Sequence, residues 1–364
     1  MVGATDPGAA RAVWGEVRAC AQRAGLGDDS EAIDALLGLA EAAGDHARVV
    51  ELLSEAAAAA TTLEARRGLL TRRAMMLCTD MGMPAEGLAA LVEVAQGLAA
   101  EHAPTWALVE RVAVEQGQAA VAMEAIERQV KLEPEEEAQA ELAGRLVAFV
   151  EAQGSDGEWL RRALELQHEV DPGDLVVVQR LADLAEAQER WADAVRYLDE
   201  LAEVEGDDDE LSKLALKVAG IAEAHLDDPQ RAWDVLLPLS QAGDIACLDA
   251  LKALAERKGM HREIVPVLVE LAGQVAEPET RAMLWDEVAA HRESFLDDAD
   301  GALAAQVEAV VACPDVVEGL DRIDRVAAKA RRPERVATAY RAALAVASDP
   351  TVIHELATRG LATL

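Results

Sequence analysis

The chain has 364 residues, 68 acidic against 34 basic, and a formal net charge of −34. Such a surface repels phosphate backbones and anionic lipid, which argues against nucleic-acid or membrane-surface binding as its main role. Apolar residues make up 51% but aromatics only 3%, asparagine is absent, and no short run of β-branched residues is bounded by turns, so the chain reads as all-α.

The charge reads first as a solvated outer face, with adaptation to saline surroundings and a basic partner as alternatives. If it repels itself, modest added salt should raise the melting temperature by screening. Cys20, Cys78, Cys247 and Cys313 form no CxxC pair, which argues against a zinc ribbon or disulfide framework and for free thiols. Met1 to Gly8 lack a basic segment followed by an apolar core, and nowhere do about 18 apolar residues run uninterrupted. A soluble, cytoplasmic chain is the expectation.

In chain order, residues 8–24 read as a helix with no partner helix before it, and Gly25–Ser30 as a loop with Ser30 as N-cap. A first hairpin follows: Ile33, Leu36, Leu37 and Ala40 in one helix, Gly44-Asp45 at the turn, then Val49, Val50 and Leu53. The second has a longer first helix, about Leu63–Cys78, and turns at Gly82-Met83-Pro84, where Pro84 suits the start of a helix. The third runs from Thr105 and Trp106 through Gln116-Gly117 to Pro134. The fourth spans Glu135 to Pro172, with Gly154–Gly157 as its turn.

The fifth hairpin, Val176 to Val204, is the cleanest. Val178, Leu181, Ala182 and Ala185 fall at i, i+3, i+4 and i+7, and Trp191, Ala194, Val195, Leu198, Leu201 and Ala202 repeat the stripe. Gln188–Arg190 leaves room only for a tight turn, so the two helices pack antiparallel. This stretch resembles a tetratricopeptide repeat (TPR): Leu181 and Ala182 match the family's Leu-Gly/Ala pair. Trp191 matches the aromatic before the second helix, and Ala194 and Leu198 the small and large crossing residues. Leu201 and Gly206 stand where the family has a small residue and a proline.

The sixth hairpin turns at Leu226-Asp227-Asp228-Pro229, a signature the eighth repeats 70 residues later as Leu296-Asp297-Asp298-Ala299. The seventh turns at Gly259-Met260-His261, and the ninth at Arg332-Pro333, ending at Pro350. Small crossing residues fall near 49, 87, 122, 160, 194, 232, 265, 302 and 337, a mean step of 36 residues. Ten of the twelve prolines stand at helix ends. Pro266 lies near a helix start, and Pro238, inside a second helix, should kink it.

The closing helix, residues 351–364, carries Val352, Ile353, Leu356, Ala357 and Leu361 with no later partner helix. This predicts either a piece of a longer array or end-to-end pairing with another copy. The resemblance implies a single right-handed α-solenoid over residues 1–364, with about nine TPR-like repeats across 30–350 and an unpaired helix at each end. It points to a bacterial repeat protein.

Motifs for chemistry are absent: no GxxxxGK[ST], GxGxxG after a strand, HExxH or GxSxG occurs. The seven histidines are scattered, so no metal site and no cofactor is expected. Asp297–Gly301 resembles half a calcium loop, but Leu296 and Val307 would fall at ligand positions, so a turn is expected there. Asp207-Asp208-Asp209 reads likewise as an acidic loop.

What the resemblance implies is a non-enzymatic scaffold that holds a peptide or helix in a concave groove lined by first helices. The alternative is the sensor or regulatory repeat region of a larger multidomain protein. On the fifth hairpin the groove-facing residues would be Gln179, Asp183 and Glu186, which favour a basic or polar ligand. Arg66, Arg67, Arg72 and Arg73 form an unusual basic cluster for so acidic a chain, and Arg66 and Arg73, seven apart, share a helix face. They are candidates for binding a carboxylate or acidic peptide, or for offsetting the surrounding acidic field. A second basic cluster comprises Arg322, Arg325, Lys329, Arg331, Arg332 and Arg335.

Overall fold

The computed structural model describes residues 7–23, 30–154, 157–314, 317–330 and 333–362, and among these every regular element is an α-helix. The chain opens with α1 (Pro7–Arg23). Hairpins follow in order: α2 (Ser30–Ala42) with α3 (His46–Ala59), α4 (Leu63–Thr79) with α5 (Pro84–Gly97), and α6 (Ala103–Glu115) with α7 (Ala119–Leu132). Next come α8 (Glu136–Ala152) with α9 (Gly157–Val170), α10 (Leu175–Ala187) with α11 (Trp191–Val204), and α12 (Asp208–Ala224) with α13 (Pro229–Gln241). The last are α14 (Ile245–Lys258) with α15 (His261–Gln274), α16 (Pro278–Ser294) with α17 (Ala299–Ala312), and α18 (Val317–Ala330) with α19 (Pro333–Leu344), before α20 (Pro350–Ala362). The loop expected ahead of Ser30 and the Arg332 end of the ninth turn lie outside the described residues.

The helices form two compact units, Met1–Leu184 and Ala185–Leu364, and the division falls inside α10. In the first unit each helix from α1 through α8 packs on its successor; in the second the same holds from α11 through α19.

Local chemistry explains the turns. In each of the first eight hairpins a left-handed residue follows the first helix: Gly44, Gly82, Gly117, Gly154 and Gly259 in five, Glu189, Asp227 and Asp297 in the others. Glycine adopts this conformation without a Cβ clash, whereas the three acidic residues are strained there. Asp45, Asp228 and Asp298 then cap the second helix, each accepting a backbone N–H three residues on. The repeated Leu-Asp-Asp signature is thus one left-handed residue followed by one cap. Pro238 stands three residues from the end of α13, which runs through it to Gln241 with the proline ring exposed.

The steps about the mean of 36 residues are ordered. The fourth residue of the second helix marks the crossing, so positions 265 and 337 belong one residue earlier, at Ile264 and Val336. Ala122, Ala194, Ala232, Ile264 and Ala302 are at most 1% exposed there, while Leu160 is only half-buried. Residues 49 to 87, 122 to 160, 194 to 232 and 264 to 302 are each 38 apart, and the intervening steps run from 32 to 35. The cause is in the first helices: α4, α8, α12 and α16 have 17 residues, and α2, α6, α10, α14 and α18 have 13 or 14. The true period is two hairpins, the second lengthened by about one helical turn.

That extra turn lies at the helix start and begins with acid: Glu64, Glu136 and Glu137, Asp208 to Glu210, and Glu279. Carboxylates there complement the helix dipole. Its fourth residue can also tie off the preceding helix: Gln139 donates to the Val130 carbonyl at 3.0 Å, and Arg281 to that of Val275 at 2.7 Å.

One core position recurs in every first helix, the seventh residue of a short one and the eleventh of a long one. It is Leu36, Val109, Leu146, Leu181, Val218, Leu251, Val288, Ile323 and Leu356, none more than 9% exposed. In α4 the same position is Arg73. The buried apolar cluster of α2 and α3 is separate from the one that runs from α4 through α7, and α4 stands where they part. In the second unit a single cluster continues from α12 to α17.

Candidate functional site

Successive first helices are joined edge to edge by ion pairs. In the first unit Arg72 of α4 pairs with Glu41 of α2, Arg145 of α8 with Glu110 of α6 at 2.8 Å, and Arg180 of α10 with Glu151 of α8. In the second, Lys217 pairs with Glu186 at 2.5 Å, and Arg257 grips Glu223 through two bonds of 2.9 and 2.7 Å. Lys252–Glu287, Arg322–Asp286, Lys329–Glu293 and Arg359–Asp321 carry the series on to α20. The Arg257 guanidinium holds the Glu223 carboxyl below the usual carboxylate range. Each such surface pair is worth at most about 1 kcal/mol, but together they fix one helix edge against the next.

Among the described residues the α4–α6 seam alone has no such pair. Where α8, α12 and α16 present Glu151, Glu223 and Glu293, α4 presents Cys78, which meets the Gln116 side chain at 3.9 Å. Burial and then the Glu115 carboxylate push the Cys78 thiol up. Behind it Gly87 of α5 lies so close to α4 that a Cβ would stand 2.7 Å from the Ala74 carbonyl oxygen and 2.8 Å from the Cys78 nitrogen.

The expected groove residues all lie on α10. Gln179 donates to Asp183 at 2.9 Å along α10, and Asp183 is exposed. Glu186 is taken by Lys217, a partner 31 residues on that sequence periodicity did not reveal. Around them the outward face of the first helices is low and small-sided. Gly68, Ala148 and Ala152 are exposed in the first unit, and Gly220, Ala224 and Ala290 in the second.

The basic cluster of α4 divides. Arg72 is in the ladder and also lines a cavity of about 630 Å³ between α2, α3 and α4, with Ile33, Asp34, Ala59 and Leu69. Arg67 lies near His102, whose protonation is disfavoured by burial and then by that guanidinium. Arg66 is exposed, and Arg73 is half-buried with its Nε sealed from solvent and bonded to nothing. In the second basic cluster Arg322 pairs with Asp286, and Arg325 and Lys329 with Glu293. Arg331 and Arg332 lie outside the described residues.

A histidine pair went unremarked in the sequence, because His261 and His291 are 30 residues apart. Their Nδ1 atoms meet at 3.1 Å, and His261 stacks on Phe295 with centroids 3.7 Å apart. Seventy residues earlier Trp191 and His225 hold the same two places and stack at 3.7 Å. Among the described residues no group of three or more metal-ligating side chains converges, and no helix is long and apolar enough to cross a membrane.

Antiparallel helix pairs, with glycine or alanine at the crossing in five of the nine and a buried aliphatic in every first helix but α4, are what define the architecture. The hairpins are TPR-like. No family model and no curated protein matches the chain. Among solved structures it is similar to the TPR domain of P58(IPK), at 17% identity over 92% of this chain and 98% of that one, TM-score 0.25. It is similar also to yeast Tom70, at 10% identity over 98% and 96%, TM-score 0.26. A tetratricopeptide repeat protein from Parabacteroides merdae matches at 12% over 71% and 98%, TM-score 0.26. Superpositions this loose bear on neither partner nor activity.

Proposed function

We propose that the chain is a non-enzymatic scaffold that binds a polypeptide, extended or helical, along the outward face of its first helices. The observation that carries this reading is the ion-pair ladder itself. It pins neighbouring first helices edge to edge while leaving small residues such as Ala148 and Gly220 exposed between the pairs. A surface fixed before the partner arrives loses little freedom on binding, and small side chains let a second backbone approach closely. Asp183 and the net charge of −34 favour a basic or polar segment.

The test places a photo-reactive side chain at Gly220, where an added Cβ meets no atom within 4 Å, and another at exposed Asp234 on the second helix of the same hairpin. The proposal expects a polypeptide adduct from Gly220 that a short oligolysine displaces and that Asp183→Lys weakens when the probe is moved onto α10. Equal labelling from Asp234, or indifference to oligolysine and to the charge reversal, contradicts it.

A further inference from the structure

We propose that α4 carries a binding site for an oxyanion, a carboxylate or phosphate group, centred on Arg73 with Arg66 beside it. The inference is independent of the scaffold reading, since Arg73 faces the helix core and not the outward face of the first helices.

The first observation is register. Every other first helix puts a buried aliphatic residue where α4 puts Arg73. An ionised group in that position loses hydration, and unless a counter-charge meets it the loss is uncompensated. The second is the missing counter-charge. Among the described residues no carboxylate lies within ion-pair distance of Arg66, Arg67 or Arg73, although Arg72, next in sequence, has Glu41. In a chain with twice as many acidic as basic residues, three neighbouring guanidinium groups without a carboxylate are conspicuous. The third is the Nε of Arg73, which is sealed and bonded to nothing, so the fold itself supplies this guanidinium with no partner there. The apolar core also parts at this helix, with Leu69 and Met76 packed on one cluster and Ala74 and Met75 in the other.

Arg66 lies two turns earlier on the same face and is exposed, so it can supply a second guanidinium to an anion held by Arg73. The rest of the molecule repels anions, and a local concentration of unpaired guanidinium groups is what would overcome that field. Free phosphate and a glutamate side chain of a partner share the chemistry that this site recognises.

The experiment compares thermal unfolding of the full chain in chloride, in inorganic phosphate at the same ionic strength, and in chloride with added hexaglutamate. Wild type should melt about 2 °C or more higher with phosphate or with hexaglutamate than in chloride alone. Phosphate acting alone identifies a free ion; hexaglutamate acting alone identifies a polypeptide carboxylate. Arg73→Leu should melt higher than wild type in chloride, because it restores the aliphatic of the other helices, and should lose the anion-dependent increment. Arg66→Ala should reduce that increment without raising the chloride value. The site is refuted if neither anion protects wild type, or if the increment persists unchanged in Arg73→Leu.

Discussion

Helices α4 and α12 occupy the same place in the two-hairpin period, one in each unit, and they begin alike. Arg72 reaches back to Glu41 of α2 as Lys217 reaches back to Glu186 of α10. From there they diverge. Where α12 buries Val218 at 1% exposure, α4 has Arg73; where α12 ties Glu223 to Arg257, α4 has Cys78 beside Gln116. Behind α12 the crossing residue is Ala232, and behind α4 it is Gly87, with backbone too near for a Cβ. One scaffold thus tolerates a polar, closely packed variant and an apolar, ion-paired one. The backbone register is set by turns and caps, and the residues between them are free to specialise.

The comparison can be broken most forcefully by transplanting the exception. Val218→Arg puts a guanidinium at a position only 1% exposed, and should cost at least about 3 kcal/mol in urea unfolding. A cost below about 1 kcal/mol would mean that the position is not core. Next comes the crossing: Gly87→Ala must push α5 from the α4 backbone and should cost roughly 1–3 kcal/mol. The reciprocal Ala232→Gly should cost only about 0.5–1 kcal/mol. Equal costs would show that the two hairpins cross at the same separation.

Acid sharpens the contrast between α12 and α16, which has buried His291 where α12 has Ile221. Burial, and then His261, hold His291 below the ordinary histidine value; Glu256 and Glu287 oppose this, and Lys252 adds to it. The folded chain therefore takes up this proton later than the unfolded one. Its stability is intact above about pH 6.5 and declines as the pH falls through that value. His291→Ile should flatten that decline in a series of unfolding curves, and a slope unchanged by the substitution would remove the pair from the account. The smallest effect is the missing rung: Cys78→Glu combined with Glu115→Arg should gain no more than about 1 kcal/mol, seen as coupling in a double-mutant cycle.

Much of this was legible in the residues. Apolar spacing located the hairpins, and Gly44, Gly82, Gly117 and Gly154 marked turns because the left-handed conformation selects glycine. Gln179, Asp183 and Glu186 were placed on one helix correctly, but the pairing of Glu186 with Lys217 depends on how two first helices align, which no local period encodes. The two-hairpin period was hidden by averaging, since steps of 38 and of 32–35 residues give one mean beat. Aligning the first helices on their central aliphatic would have exposed both the alternation and Arg73. The four arginines of α4 stood out by charge alone, and only packing separates Arg72, which is in the ladder, from Arg73, which interrupts the core.

The claim beneath all of this is that each hairpin is supported by its immediate neighbours. Hydrogen exchange of the full chain, wild type against Val218→Arg, tests it most directly. Protection should fall in α11 through α14 and stay at wild-type levels in α2 through α7 and in α18 through α20. An even loss of protection from one end of the chain to the other would contradict it.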